Sequence, residues 1–334
     1  MRREMTAAFI SAIVLAAGCS MDMSAPYGEE ITFSCRPDDF SASSRGNPST
    51  DGIEDMITSV SLFIYHKDRL IFSDYREDIS DGVKVTLEND WAYDIYALVN
   101  MGDMTGSMPC SLYSDMENDI SWNIPSYGYI NENGLPMVGK LKGFRAGKDS
   151  PVIRLKRLFA KVCVDISFAY SGASVRNVRI HNLNGTLKPF GTSRASEPSS
   201  IIADAGSGSG TYTFYIPENM QGEIGSASDA HEKNPDIDPE IQAKKDVLTY
   251  MEVEVELNGD GGYGGMVRYR SYLGNSCTRN FDICGNCLYN WKVTYLEDNL
   301  QYDDWKIDTG NMSSDIILPF LINQGWSDQE VIEL

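Results

Sequence analysis

The sequence predicts an all-β protein built from β-sandwiches. Many short segments alternate apolar and polar residues and are rich in β-branched and aromatic side chains, a pattern typical of strands with one buried face. Stretches that contain Gly, Asn and Asp separate these segments, as turns do. Only one short segment, Pro239–Val247, resembles a helix. Strands that follow one another without helices between them favour sandwiches over a parallel sheet with crossover helices.

The beginning of the chain predicts export and a lipid anchor. Arg2 and Arg3 precede the apolar residues 9–15, and the small residues 16–18 come directly before Cys19. A membrane span needs about 20 apolar residues, so this shorter stretch is a signal peptide that is removed. Leu-Ala-Ala-Gly before the cysteine forms a lipobox, which makes Cys19 the acylated first residue of the mature chain. Each buried acyl methylene contributes about 0.8 kcal/mol, so two or three acyl chains hold a protein on a membrane.

The composition agrees with an exposed protein of about two domains. Without its first 18 residues the chain of 334 has 316, which suffices for about two cores. The net charge is −20 and the pI is near 4.5. Phosphate binding needs clustered Lys and Arg, so nucleic acid is excluded as a partner. The negative charge fits a solvated surface that keeps the protein soluble.

The predicted strands extend over most of the chain. The clearest is Ala160–Phe168, where aliphatic or aromatic residues occupy every second position from Val162 onwards. The others follow the same pattern: Ser59–Tyr65, Val83–Leu87, Tyr93–Val99, Ile153–Leu155, Val175–Ile180, Gly210–Ile216, Tyr250–Leu257, Val267–Leu273 and Tyr289–Tyr295. Two polar stretches, Ser41–Asp51 and Ser193–Gly210, are predicted loops. Asn258–Gly265 lacks the spaced carboxylates of a calcium loop and is predicted to be a hairpin turn.

Six cysteines remain besides Cys19. They are Cys35, Cys110, Cys163, Cys277, Cys284 and Cys287. An exported chain permits disulfides, but the sequence does not fix their pairing. Cys277, Cys284 and Cys287 form a C-x6-C-x2-C cluster, yet a structural zinc site takes four ligands and no histidine lies nearby. We therefore expect no metal there, and either a local disulfide or free thiols.

Motifs of enzymes are weak in this sequence. Gly206–Gly210 fits Gly-x-Ser-x-Gly, but it lies in a polar loop without the strand-to-helix elbow that the motif requires. No phosphate loop, His-x-x-x-His pair or dinucleotide fingerprint occurs. Carboxylates are abundant, but nothing selects two of them as a glycosidase pair. The sequence predicts no enzyme activity and no cofactor.

Four stretches, in order along the chain, resemble the Bacteroidetes fimbrillins, the lipoprotein subunits of type V pili. Leu155–Val162 is similar to the (Leu/Ile)-x-Arg-x-x-Ala-(Lys/Arg) segment that opens the family's second domain. The others are Ile57–Tyr65, Tyr93–Asp103 and Tyr215–Gly222, the last followed by Tyr272–Gly274 and Asn280–Tyr289. The resemblance implies an all-β fold of two transthyretin-like β-sandwich (Greek-key) domains in tandem, with few short helices. The expected divisions are a signal peptide at 1–18, an N-terminal segment at 19–50, and sandwiches at 51–150 and 151–334.

The resemblance also implies a mode of assembly. In this family the precursor reaches the outer membrane as a lipoprotein, and an Arg-directed, trypsin-like protease removes one N-terminal strand. A strand from the next subunit then fills the groove, so that main-chain hydrogen bonds supply affinity and alternate side chains supply specificity. The expected partners are other fimbrial subunits, the outer membrane through the lipid anchor, and a host or bacterial surface ligand.

Candidate residues for each part can be named. Ile31, Phe33 and Cys35 share one face of a removable strand within Glu30–Cys35, and Arg45 and Arg36 are candidate cleavage sites, although Arg45 also fits an ordinary loop arginine. The donor-strand candidates lie in the apolar run 316–322, where Pro319 must sit without a ladder hydrogen bond. They are Ile316, Leu318, Phe320 and Ile322. The same run could instead complete the second domain's own sheet.

The role within a pilus and one alternative function stay open. Stalk, tip and anchor subunits share the fold, and the unusual tail after Tyr295 together with the added cysteines slightly favours a tip or accessory subunit. Cys284 and Gly285 also stand where relatives often carry basic residues. The alternative is a surface glycan-binding lipoprotein of a polysaccharide-uptake system, whose aromatic side chains would stack on sugars, although aromatics fill β-sandwich cores equally well. These aromatics are Trp91, Trp122, Tyr127, Tyr129 and Trp326.

Overall fold

The structure is a computed structural model that describes most of the chain between residues 28 and 295. The described ranges are 28–38, 41–42, 52–106, 112–147, 150–168, 172–206, 210–228, 232–258, 264–276, 278–295 and 321–324. Within them, strands far outnumber helices, as the sequence predicts. The helices are α1 (Tyr113–Asn118), α2 (Tyr129–Asn133) and α3 (Pro239–Lys244). None of the helices in these ranges is long and apolar enough to cross a membrane.

The strands are numbered in chain order. They are β1 (Gly28–Pro37), β2 (Ser41–Ala42), β3 (Val60–His66), β4 (Arg69–Arg76), β5 (Val83–Glu88), β6 (Ala92–Val99), β7 (Trp122–Asn123), β8 (Met137–Arg145), β9 (Val152–Arg157), β10 (Phe159–Phe168), β11 (Ala173–His181), β12 (Thr186–Leu187), β13 (Ala203–Asp204), β14 (Gly210–Pro217), β15 (Asn219–Glu223), β16 (Tyr250–Asn258), β17 (Gly264–Tyr272), β18 (Asn280–Ile283), β19 (Cys287–Tyr295) and β20 (Leu321–Gln324).

The N-terminal half forms a seven-stranded array in the order β4-β3-β6-β8-β9-β1-β5. Strand β9 is antiparallel to β8 and parallel to β1, so this sheet continues to Arg157, beyond the expected boundary at residue 150. One apolar face of the array encloses the first core. Its buried members are Ile31, Phe33, Val60, Leu62, Ile64, Val83, Val85, Leu87, Tyr93, Ile95, Ala97, Val99, Met137, Ile153 and Leu155.

The second domain is a sandwich of two sheets. One has the order β14-β10-β19-β2, with β20 also paired to β19, and the other has the order β13-β11-β16-β17. The alternation predicted for Ala160–Phe168 is present in β10, where Val162, Val164 and Ile166 are buried in the core between the sheets. Strands β16 and β17 pair from Tyr250–Tyr272 to Asn258–Gly264, which confirms the predicted hairpin.

The two domains are joined by a third apolar cluster. Phe63, Tyr65 and Tyr96 of the first sheet pack in it with Phe159 and Tyr215 of the second domain. A short antiparallel pair of β7 and β12 adds a backbone connection between the halves of the chain. Apolar burial at this junction therefore couples the N-terminal array to the sheets of the second half of the chain.

Some elements differ from the sequence prediction for local reasons. Asp238 accepts hydrogen bonds from the backbone N–H groups of Glu240 and Ile241 and so caps α3, but the helix ends at Lys244 instead of Val247. The sequence prediction missed β8, whose pattern is weakened by Gly139. A Cβ there would lie 2.5 Å from Ile153, so that only glycine permits the close approach of β9. Helices α1 and α2, with six and five residues, are too short to show a helical period.

Candidate functional site

The N-terminal strand β1 lies between two strands of the first domain. Its first part, from Gly28 to Phe33, is antiparallel to β5, and its second part, from Ser34 to Pro37, is parallel to β9. The segment predicted to be removable is contained in β1. Because β5 and β9 both use it as their hydrogen-bonding neighbour, β1 covers an edge of each.

The inward face of β1 contributes to the first core. Ile31 is 2% exposed and Phe33 is 1% exposed. Phe33 meets the ring of Phe144 edge to face, with the centroids 5.5 Å apart. Cys35 is half-buried on the same face, and burial raises the pKa of its thiol to about 12. Full burial of a side chain the size of Ile or Phe contributes about 1.5–3 kcal/mol, so β1 supplies several kcal/mol of the domain's apolar burial.

Arg157 holds the residue that follows β1. Its side chain is 3% exposed and donates to the backbone oxygen of Asp38 and, at 2.9 Å, to that of Glu54. The guanidinium also donates to Asn286 Oδ1 at 3.1 Å and forms an ion pair with Asp55 at 2.8 Å. A buried guanidinium needs such partners, since an unsatisfied buried charge is costly. Arg157 thus ties the N-terminal segment, the loop at 54–55 and a turn of the second domain together.

A buried ion pair lies beside this arginine. Lys161 of β10 pairs with Glu54, and each of the two side chains is 7% exposed. Tyr215 of β14 donates to Glu54 Oε1 at 2.7 Å. The pair links the start of the first domain to two strands of the second. Glu54 and Lys161 were not predicted to be partners. The signal was present, because the apolar run 155–164 contains three basic residues, Lys156, Arg157 and Lys161, and a buried charge needs a partner.

The N-terminal and C-terminal segments share one edge of the second domain. Strand β19 pairs with β10 on one side along its length. On its other side, β2 is parallel to it at Cys287 and Leu288, and β20 is antiparallel to it from Trp291 to Thr294. The two short strands therefore lie one after the other along the same edge of β19.

The predicted site residues fall partly outside the described chain. Cys19, Arg45, Ile316, Leu318 and Phe320 lie outside the described residues. Ile322 lies in β20, where it is the register partner of Val293. The end of the apolar run 316–322 therefore extends the second domain's own sheet.

Arg36 was expected to follow the removable strand, but it lies within β1. Its side chain is exposed, yet its backbone is in register with Arg154 of β9. It also precedes Pro37, which has no backbone N–H to offer a protease that binds its substrate as an extended strand. Arg36 therefore remains the second cleavage candidate, after Arg45.

The aromatic side chains proposed for sugar stacking are mostly not available. Trp122 is buried and donates to the backbone oxygen of Met101 at 3.0 Å. Tyr127 and Tyr129 pack against the apolar cluster at the domain junction. Trp91 is 38% exposed and stacks on His66, with the centroids 4.1 Å apart, beside a cleft of about 480 Å³. Trp326 lies outside the described residues.

The predicted cysteine cluster is described only in part. Cys284 and Cys287 are half-buried in the turn between β18 and β19, and Cys277 lies outside the described residues. Within the part of the chain that the structure describes, no group of three or more His, Cys, Asp or Glu side chains could hold a metal ion.

Solved structures of other proteins are similar to this architecture over most of the chain. The structure aligns with a proposed cell adhesion protein of Bacteroides eggerthii at a TM-score of 0.55 and 11% identity, covering 89% of this chain and 96% of that one. For a proposed cell adhesion protein of Parabacteroides distasonis, the TM-score is 0.52, the identity 11% and the coverage 89% and 95%. The tip fimbrial protein Mfa3 of Porphyromonas gingivalis, in a C-terminally truncated form, aligns at a TM-score of 0.50 and 13% identity. The alignment covers 88% of this chain and 99% of that one.

Sequence comparisons add little to the structural ones. Residues 214–293 match a family described as a domain of unknown function, DUF4906. A search of curated proteins finds no match. At 11–13% identity the structural likeness establishes the fold. The chain has the all-β fold of the Bacteroidetes fimbrial and cell adhesion proteins, as its resemblance to the fimbrillins predicts.

Proposed function

We propose that the chain is a structural subunit, tip, accessory or stalk, of a type V pilus that serves cell adhesion. In this proposal it is exported as an outer-membrane lipoprotein and assembles by protease-triggered donor-strand exchange. The observation that carries the proposal is the position of β1, which completes two strand edges and fills the first core with Ile31 and Phe33. The fold shared with the tip fimbrial protein Mfa3 supports it.

The first step is a cut between β1 and the body of the first domain. Arg45 follows β2 and precedes Gly52, where the described chain resumes. Cleavage after Arg45 leaves β1 and β2 on the released fragment and Glu54 on the remaining chain. From then on the fragment is held by non-covalent contacts: the ladders of β1 and β2, the buried side chains of β1, and the contacts of Arg154 and Arg157 with Asp38.

The second step is replacement of β1. Before cleavage the chain's own strand is present at a very high effective concentration, against which a strand of another molecule competes poorly. Departure of β1 opens the edges of β5 and β9 and the pockets of Ile31 and Phe33. An incoming strand with apolar residues at alternate positions restores both, which is the basis of β-augmentation.

Cleavage also opens part of the edge of β19, where the chain's own strand β20 is already paired. Because β2 leaves with β1, the edge beside Cys287 and Leu288 becomes open next to the stretch that β20 occupies. A C-terminal run from a neighbouring subunit could then continue along this edge. Cleavage at Arg45 followed by a native gel tests the proposal, because only a strand-exchanging subunit then forms ladders.

The lipid anchor gives a separate expected result. Cys19→Ala should abolish incorporation of labelled palmitate, because the thiol to which the acyl-bearing lipid group is attached is gone. Cys35→Ala is the matched control and should keep full labelling, since Cys35 lies on the inward face of β1. Persistent labelling of the Cys19→Ala chain would contradict the lipoprotein assignment.

A further inference from the structure

Two cysteines are brought together in the turn between β18 and β19. The turn reads Cys284-Gly285-Asn286-Cys287, and Asn286 adopts the left-handed conformation with φ +60°. The side chains of Cys284 and Cys287 are hydrogen-bonding neighbours. Both residues are half-buried, so that a small or protruding reagent can reach them. C-x-x-C is also the spacing found in thiol–disulfide oxidoreductases.

The surroundings of the two sulfurs differ. Asn275 Nδ2 donates to Cys284 Sγ at 3.3 Å. The orientation of this amide is fixed because Tyr289 Oη donates to Asn275 Oδ1 at 2.5 Å, while the same hydroxyl accepts from the backbone N–H of Cys284 at 3.0 Å. The amide of Asn275 therefore points at the sulfur of Cys284, which has Cys287 as its other neighbour.

These polar neighbours stabilise the thiolate of Cys284. The hydrogen bond with Cys287 is the largest influence that lowers the pKa of Cys284; burial and the charge of Asp282 oppose it, and the pKa falls to about 6. Cys35, which has no such donors, is shifted in the opposite direction by burial. Because the thiolate is the attacking species in disulfide exchange, Cys284 is the more reactive partner at neutral and mildly acidic pH.

We propose that Cys284 and Cys287 form a thiol–disulfide exchange site whose substrate is an exposed disulfide of another molecule. The thiolate of Cys284 attacks one sulfur of that disulfide, forms a mixed disulfide and releases the other sulfur as a thiolate. Cys287 loses its proton to solvent and attacks Cys284 Sγ, which releases the second substrate sulfur. The two cysteines are thereby oxidised to one disulfide, and the substrate disulfide is reduced to two thiols.

The site is built into the junction between the domains. Gly285 N donates to Glu218 Oε2 at 3.2 Å, and Asn286 N donates to the backbone oxygen of Phe159 at 3.0 Å. Asn286 Oδ1 is also a partner of Arg157. A disulfide across this turn would therefore fix the loop that holds Arg157. This inference does not depend on the pilus proposal.

The experiment uses the full-length, reduced chain and oxidised glutathione at pH 5.5. In Cys287→Ser, whose hydroxyl can still donate to Cys284, a mixed disulfide should accumulate at Cys284. In Cys284→Ser, the reaction at Cys287 should be at least about tenfold slower, because the larger thiolate fraction at Cys284 outweighs the lower nucleophilicity of a low-pKa thiolate. Mass spectrometry of peptides gives both rates, and Cys277→Ser should leave exchange unchanged.

The wild-type chain provides a second readout that needs no variant. Peptide mapping after oxidation should find the Cys284–Cys287 disulfide, and alkylation of reduced Cys284 by iodoacetamide should titrate with a midpoint near pH 6. Cys35 should resist alkylation in the folded chain. Equal rates in the two serine variants, a disulfide to Cys277 in place of Cys284–Cys287, or no disulfide at all would each overturn the proposal.

Discussion

Replacing Phe33 with alanine is expected to lower the free energy of unfolding by about 3–5 kcal/mol, the usual range for Phe→Ala in a core. Phe33 is 1% exposed and packs against Phe144. The cavity cannot collapse easily, because β5 and β9 are fixed on either side of β1 by their ladders. Denaturant unfolding of the uncleaved chain, followed by tryptophan fluorescence, measures the change.

Ser34 is the matched control for this substitution. It is the next residue of β1, its side chain is exposed, and its backbone N–H bonds to the oxygen of Pro151. Ser34→Ala keeps that backbone bond and should change stability by no more than about 0.5 kcal/mol. Equal losses for the two variants would mean that β1 does not supply the core of the first domain.

Lys161→Met should have an effect of the same size for an electrostatic reason. The substitution leaves the carboxylate of Glu54 in a buried site with Tyr215 as its neutral donor and without its cation. Breaking a buried pair from one side costs about 3–5 kcal/mol, because the remaining charge is uncompensated. Chemical denaturation compares the variant with wild type.

The double variant Glu54→Gln/Lys161→Met distinguishes the effect of the charge interaction on stability from the effect of side-chain packing. The glutamine amide is neutral and its oxygen can still accept from Tyr215, so most of the lost stability should return. If the double variant is as unstable as the sum of the two single variants, the charges do not act on each other and the account of the junction is wrong.

Local pattern was sufficient to predict much of the fold. The strict alternation in β10 and the hairpin of β16 and β17 follow from period-two burial and turn chemistry, which act within a few residues. The same reasoning placed Ile31 and Phe33 on one face of a strand. Both are buried in the first core, which depends on tertiary contacts that the local pattern does not contain.

Elements that depend on distant partners were not predictable in this way. The sheet order places β1 between β5 and β9, and β9 follows β1 by more than a hundred residues in the chain. Arg157 and Lys161 looked like parts of a family motif, but their partners at 38, 54 and 286 come from three other segments. Gly139 weakens the alternating pattern of β8. A glycine is required there because β9 approaches too closely for a side chain, and this reason lies outside β8.

The central claim is that β1 is a removable strand. The most direct measurement is limited trypsin digestion of the purified chain, followed by N-terminal sequencing and a native gel, with Arg45→Ala as the uncleavable control. The account predicts a new N-terminus at Gly46, loss of the fragment that carries β1, and ladders of higher-order species that the Arg45→Ala chain does not form. A chain that is cut after Arg45 but keeps β1 and stays monomeric would contradict it.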